Sequence, residues 1–226
     1  VDVPDGELEA TYLEDPSPDR PFAMFEAFER GYSVEEVCAL TGIEEWYVER
    51  YKRIADAAMA ASAGDFSMAA SLGYTNQAIA GFAEESPETK TDGGVAVSEI
   101  ESATPDRSFK QVDTCAGEFA ASTPYYYSAR EPQGDVGRNE VQVDRDETSV
   151  VIVGAGPIRI GQGVEFDYCT VHAIQALRED GVQAHVVNNN PETVSTDYDT
   201  SNGLFFEPIT AEEIADVIAE TNADGV

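Results

Sequence analysis

The stretch from Ser149 to Gly181 constrains this chain more than any other. Ser149–Val153 is an unbroken β-branched run that ends in Gly154-Ala155-Gly156-Pro157, and a helical pattern then covers about residues 164–180 before Gly181 stops it. Continuous apolar strands of this kind belong to parallel sheets buried on both faces. Gln183–Val187 reads as a second strand, ending in Asn188-Asn189-Asn190-Pro191, and Leu204–Phe206 as a short third. Thr210 then caps a helix over Ala211–Glu220. Strand, helix, strand, strand, helix predicts a Rossmann-like parallel α/β domain over residues 149–226. Gly225-Val226 reads as the first step of a fourth strand. Stopping there leaves an open sheet edge, so the chain is expected to be a piece of a longer protein.

A strand that feeds a glycine-rich turn and then a helix makes an anion site. Glycines let backbone N–H groups approach the ligand, and the helix N-terminus adds a positive dipole. Gly154, Gly156, Arg159, Gly161 and Gln162 are the candidate turn residues. A dinucleotide-binding reading fails on two counts. Arg159 stands where the third glycine belongs, and asparagines stand where an acid at the end of the second strand would hold a ribose. Gly154 and Gly156 also fit a role in strand–helix packing alone, and Arg159 fits either a substrate contact or a surface ion pair.

The first half of the chain is written in another period. Residues 1–20 are acidic and Pro-rich and read as an extended lead-in. From Pro21, the residues Phe22, Phe25, Ala27 and Phe28 share one helical side until Gly31. Ser33 with Glu36 forms a capping box ahead of a second helix. Thr41 is placed to cap a third, carrying Ile43, Trp46, Tyr47, Tyr51 and Ile54 and running to about Ala61. Phe66–Leu72 and Thr75–Phe82 read as two more helices, broken at Gly73. Residues 84–108 read as a solvated insertion, Phe109–Phe119 and Pro124–Tyr127 as richer in strand formers, and 131–148 as a linker. A mostly helical domain over 21–130 follows from this division. Trp46, Tyr47 and Tyr51 read as core or subunit contacts, and Tyr125, Tyr126 and Tyr127 as packing between domains.

Charge excludes several function classes. Forty-four acids against thirteen bases give a net charge of −31, and the only lysines are Lys52, Lys90 and Lys110. Such a surface repels nucleic acid phosphates. An acidic partner-binding face is one explanation, and a cytoplasm of molar salt is the other. The dispersal of the acids and the scarcity of lysine favour the second. No apolar run nears the ~20 residues that cross a bilayer. Cys38, Cys115 and Cys169 have no CxxC spacing and read as free thiols of a reducing cytosol, and His172 and His185 lack metal-ligand spacing. His185, within the second strand, reads as a core residue. Asp167 sits on a first helical turn, where the dipole alone accounts for it. Asp197 and Asp199 fit Asx-type turn bonds better than a cation site.

The most specific signal is longer than any short motif. The run Gly154-Ala155-Gly156-Pro157-Ile158-Arg159-Ile160-Gly161-Gln162-Gly163-Val164-Glu165-Phe166-Asp167-Tyr168-Cys169 closely resembles the carbamoyl-phosphate synthetase large-subunit family. So do Asn190-Pro191-Glu192-Thr193-Val194-Ser195-Thr196-Asp197-Tyr198-Asp199-Thr200 and Phe205-Phe206-Glu207-Pro208. The wording Pro191-Glu192-Thr193-Val194-Ser195-Thr196-Asp197-Tyr198-Asp199-Thr200 is similar to the family's second synthetase half specifically. Val112-Asp113-Thr114-Cys115-Ala116-Gly117-Glu118-Phe119 and Tyr126-Tyr127-Ser128 resemble the segment before that half, and Ala27–Glu36 the start of its oligomerisation domain. The resemblance covers most of residues 21–226. It departs at 84–108, and at Ile158, where second-half copies often carry Asn.

The resemblance implies a helical oligomerisation domain followed by an incomplete pre-ATP-grasp α/β domain of a cytoplasmic ATP-dependent carbon–nitrogen ligase. That family makes carbamoyl phosphate from bicarbonate, ammonia drawn from glutamine by a small glutaminase subunit, and two ATP, for arginine and pyrimidine biosynthesis. Gly163 then lies where a small residue keeps the carbamate tunnel open, and Glu165 and Glu192 match acids that line it. ATP and Mg²⁺ (or Mn²⁺) serve the full enzyme, with their ligands outside this stretch, which alone is expected to be inactive: no catalytic or metal-binding residue is assigned in it. The competing reading is a non-catalytic helical interaction module joined to a nucleotide-binding-like domain. Ser33–Arg50 places a second helix after a short turn, as helix-turn-helix units do. Without a basic face for DNA, that module would bind protein.

Overall fold

The computed structural model describes residues 7–85, 95–120, 123–130, 139–157 and 165–226. The chain divides into two compact units, Val1–Pro105 and Asp106–Val226.

In the first unit a π-helical turn, Leu8–Leu13, precedes α1 (Arg20–Glu29), α2 (Val34–Thr41), α3 (Glu45–Ser62), α4 (Ser67–Ser71), α5 (Asn76–Glu85) and α6 (Val97–Ala103). The lead-in is therefore not extended throughout: Leu8 and Leu13 bury themselves against α1 and α2. The Ser33–Glu36 capping box forms as expected, with Glu36 N–H donating to Ser33 Oγ and Ser33 N–H to Glu36 Oε2. Gly42, in the left-handed region at φ +69°, closes α2. Thr41 does not cap α3. Its hydroxyl donates to the Val37 carbonyl and accepts Ile43 N–H, and Glu44 takes the cap position.

Alanine makes many of the helix contacts of this unit. Ala55, Ala57 and Ala61 of α3, Ala69 and Ala70 of α4, and Ala80 and Ala83 of α5 are buried. Alanine has the highest helix propensity and lets backbones approach closely. Trp46 and Tyr47, expected as core or subunit contacts, are 54% and 55% exposed, with Arg50 stacked 4.7 Å over the indole. They are not core. The 84–108 stretch is not wholly a solvated insertion: α6 lies in it and buries Ile100 against α5. Residues 86–94 of that stretch lie outside the described residues.

The second unit is a five-stranded sheet in the order β1 (Ser108–Gln111), β2 (Tyr125–Ala129), β5 (Gly203–Phe206), β4 (Gln183–Asn188), β3 (Ser149–Val153). β1 and β2 pair antiparallel, and every other pairing is parallel. Both strands fall within the 21–130 segment expected to be helical, yet they belong to this sheet, so the boundary lies at residue 105 rather than 130. Beyond β3, Gly225 makes a parallel bridge with Val150. Gly225 thus lies beside the β3 edge of the sheet, and β5-β4-β3-Gly225 has the 3-2-1-4 order of a Rossmann half.

α7 (Glu165–Glu179) and α8 (Ala211–Thr221) pack on opposite faces of this sheet. Ile174 and Leu177 of α7 meet Ala184, Val186 and Leu204. Val217, Ile214 and Ile218 of α8 meet Val151, Val187 and Phe205. Phe205 stacks edge-on with Phe109 and is tilted against Tyr126. Tyr125 and Tyr126 therefore pack inside this unit. The second half of the expected linker, residues 139–148, lies along the sheet. Asn139 Oδ1 accepts Phe109 N–H at 2.7 Å, Glu140 N–H donates to the Phe109 carbonyl at 3.0 Å, and Glu140 Oε2 accepts Gln111 N–H at 2.8 Å. Arg145 holds the Glu220 carbonyl, and Asn222, the left-handed cap of α8, returns a bond to the Arg145 carbonyl.

Candidate functional site

The carboxyl ends of β3 and β4 meet at one edge of the sheet, beside the point where strand order reverses between β3 and Gly225. In open α/β sheets that is where ligands bind. The turn after β3 and the loop after β4 face each other there, and Asn188 joins them. Its side chain is buried. Its Oδ1 accepts three backbone N–H groups: Gly156 at 3.2 Å, Asn189 at 2.9 Å and Asn190 at 3.3 Å. A β-carbon on Gly154 would lie 2.6 Å from the Asn188 carboxamide, closer than atoms can approach. Gly154 is thus glycine because Asn188 lies against it. Gly156 sits at φ +75°, in the left-handed region that favours glycine.

These contacts change the meaning of the two glycines. Gly154 N–H donates to the Val187 carbonyl at 2.8 Å, and Gly156 N–H is spent on Asn188. Both amides that a bound anion would use are satisfied within the protein. The reading of these glycines as close packing therefore accounts for what is observed at 154 and 156. The other turn residues, Arg159, Gly161 and Gln162, and the tunnel candidate Gly163 lie outside the described residues. Glu165 opens α7.

Glu192, the third tunnel candidate, is exposed on the loop after β4. Its N–H donates to Asn190 Oδ1 at 3.0 Å, an Asx turn that fixes the backbone and leaves the carboxylate to face solvent. The rest of that loop is pinned at three points. The Thr196 hydroxyl shares its one proton between the Thr193 carbonyl at 2.8 Å and the Asn190 carbonyl at 3.1 Å. Buried Asp167, on the first turn of α7, accepts Ser195 N–H at 2.7 Å. Tyr125 donates its hydroxyl to the Thr196 carbonyl at 3.1 Å. Burial, with Asp197 and Asp199 nearby, pushes the Tyr125 phenol up, so it stays a donor. Asp167 thus does more than complement a helix dipole. Asp197 and Asp199 are exposed, and it is Arg178 that grips this stretch, through the carbonyls of Asp199 and Thr200.

Farther along the same edge, Glu207 at the end of β5 is 3% exposed and accepts both the backbone N–H and the hydroxyl of Ser128. Arg107 bridges Glu207, Glu212 and Glu213 at 3.7, 3.1 and 3.2 Å, and Arg130 joins Glu212 at 2.9 Å. Burial pushes the Glu207 carboxyl up, against the pull of Ser128 and Arg107. The cluster ties β2, β5 and the first turn of α8 together. His185 lies fully buried in β4, and neither ring nitrogen has a hydrogen-bond partner among the described residues. Burial pushes its pKa down to about 4, so it is a neutral core residue, as its strand position implied. No cluster of His, Cys, Asp and Glu capable of holding a metal ion occurs among the described residues, and no described helix is long and apolar enough to cross a membrane.

Asn188, Asp167, Thr196 and Tyr125 hold this edge together, and the sequence pattern marked none of them for that work. Two family models match the chain: the oligomerisation domain of the carbamoyl-phosphate synthetase large chain over residues 3–102, and the carbamoyl phosphate synthase preATP-grasp domain over residues 146–226. The chain is 66% identical over 225 residues to the carbamoyl phosphate synthase large chain of Halobacterium salinarum, a match that covers 99% of this chain and 21% of the relative. The corresponding chain of Methanothrix thermoacetophila is 45% identical over 218 residues, and that of Methanoregula boonei 43% over 218, each match covering 95% of this chain and 19% of the relative. The chain thus spans about one fifth of the length of the curated relatives it matches.

Proposed function

The chain belongs to the carbamoyl phosphate synthase large-chain family, and from that premise we propose that it serves an enzyme making carbamoyl phosphate from bicarbonate, glutamine-derived ammonia and two ATP. What carries the reading is the order of the two matched domains in a chain that aligns over 99% of its own length with about one fifth of a relative's. In this role the helical unit mediates self-association of large subunits. The α/β unit joins the halves and forms part of the wall of the carbamate path.

The carboxyl edge of β3 and β4 is the part of the chain suited to such a wall. Gly163 would leave room for a small anion, while Glu165 and Glu192 would present polar groups along it. The fixed backbone of Glu192 supports this, because a lining residue has to hold its place. ATP and Mg²⁺ (or Mn²⁺) would be held by ATP-grasp segments outside this chain and supply phosphoryl transfer there. A glutaminase subunit would deliver ammonia. The net charge of −31 and the Halobacterium relative support work in a cytoplasm of concentrated salt, in arginine and pyrimidine synthesis.

The test uses the complete large subunit with its glutaminase partner in molar KCl. Carbamoyl phosphate and ADP are measured with ATP, bicarbonate and glutamine as substrates. Two ADP per product are expected, and Gly163→Phe should keep releasing ADP while losing product. A folded enzyme that makes no carbamoyl phosphate would refute the activity and leave an interaction module in its place. Product formed by Gly163→Phe at the parental rate would refute the tunnel assignment alone.

A further inference from the structure

The two loops at the carboxyl edge come from strands β3 and β4, and nothing in a parallel ladder fixes how far apart the chain segments beyond the strands settle. Here the distance is fixed by one side chain. Asn188 Oδ1 collects an N–H from the β3 turn, at Gly156, and two from the β4 loop, at Asn189 and Asn190. The link then continues outward. Asn190 Oδ1 accepts Glu192 N–H, and the Asn190 carbonyl accepts the Thr196 hydroxyl. Gly156 and Glu192 are thereby joined through two asparagine carboxamides, with no covalent path shorter than the whole β3–α7–β4 crossover.

We propose that Asn188 is a positioning residue for the carbamate path: it holds the β3 turn and the Glu192 loop in register, so that the unstable intermediate passes along the wall rather than leaking to solvent. This rests on the tunnel reading given above, to which it adds the part that sets the geometry. Three observations converge on it. Asn188 is 1% exposed, so its amide has no solvent alternative. Its oxygen takes donors from both loops, where a residue serving one loop only would not. Gly154 has given up its side chain to admit it, since a β-carbon there would overlap Asn188 Cγ and Nδ2. An acid at the corresponding strand end binds a ribose in dinucleotide sites. The neutral amide here faces inward and accepts from backbone, which is a different job.

A loss of register between the two walls would let the intermediate escape while its formation continues, so it is read as ADP released without product. The experiment is therefore a coupling measurement on the complete large subunit with its glutaminase partner, in molar KCl, reading ADP released per carbamoyl phosphate formed. Asn188→Ala, which removes the acceptor, should raise that ratio by roughly three-fold or more. Asn188→Asp keeps the shape and the accepting oxygen and should stay within about two-fold of the parent. Gly154→Ala attacks the same contact from the other side and should also uncouple. In an Asn188→Ala background it should add little, because the carboxamide overlap has gone and only the 3.0 Å approach to the β-carbon of residue 188 is left. Gly154→Ala leaves Asn188 itself unchanged and so decides the matter even where Asn188→Ala yields little soluble enzyme. An unchanged ratio in both single variants overturns the proposal while leaving the function intact. So does an Asn188→Asp variant as uncoupled as Asn188→Ala. A parental enzyme that makes no carbamoyl phosphate overturns the function itself, and this proposal with it.

Discussion

The helical and α/β units solve burial in opposite ways. Among the described residues, the buried polar side chains of the helical unit are Asn76 and Thr104, while the α/β unit buries thirteen, from Ser108 to Thr221. The helical unit fills its interior with alanine, larger aliphatics and a buried aromatic, Phe28. The α/β unit combines an aromatic layer, Phe109, Tyr126 and Phe205, with carboxylates, amides and hydroxyls that bond the backbone. An apolar contact is non-directional and tolerates exchange, whereas a buried polar group is stabilising only with its partner in place. Side-chain identity should therefore matter more in the α/β unit. There, identity is tied to where loops sit, and so to function.

Three measurements would sharpen or break that contrast. The largest effect is expected from Phe205→Ala, which empties the junction of two aromatic contacts and should cost about 4 kcal/mol in denaturant unfolding followed by circular dichroism. A loss below about 1 kcal/mol would mean that the aromatic layer is loosely packed and the contrast overstated. Next comes pH. The folded His185 resists protonation until about pH 4, whereas an unfolded one takes up its proton near its ordinary value of 6.5. Stability should therefore fall as pH drops through that window, by about 2 kcal/mol at pH 5 relative to pH 8. His185→Leu should lose that component of the slope; an unchanged slope would show that His185 is not the group responsible. The smallest effect belongs to the helical unit. Ser33→Ala removes half of the capping box and should cost about 1 kcal/mol. A much larger loss there would show that the helical unit, too, depends on single polar bonds.

What the sequence revealed followed the range of the interactions. The capping box at Ser33 and Glu36, the stop at Gly31 and the strands β3, β4 and β5 are local signals of period and turn chemistry, and each was legible. β1 and β2 were not placed, because their membership of the sheet depends on pairing β2 with β5, almost eighty residues away, and no local period encodes that. The turn at Leu8–Leu13 was hidden by acidic composition, although its two leucines are what it buries. At the candidate edge, Gly154 and Gly156 were picked out for their type, but their reason was not visible: it lies in Asn188 across the sheet. The signal was present in a different form. Of three consecutive asparagines at a strand end, opposite a glycine turn, two are buried, and burying them is costly unless their amides are used.

The segment along β1 has a consequence for how the protein keeps to itself. An outer strand ordinarily offers a row of free N–H and C=O groups, and any passing strand can dock on it. Here Asn139 and Glu140 occupy those groups on Phe109 and Gln111, partly with side chains in place of backbone. A neighbouring chain would have to strip that segment away before it could extend the sheet. The protection is built from short-range bonds rather than from repulsion between charges. It therefore survives in concentrated salt, where net charge no longer keeps molecules apart.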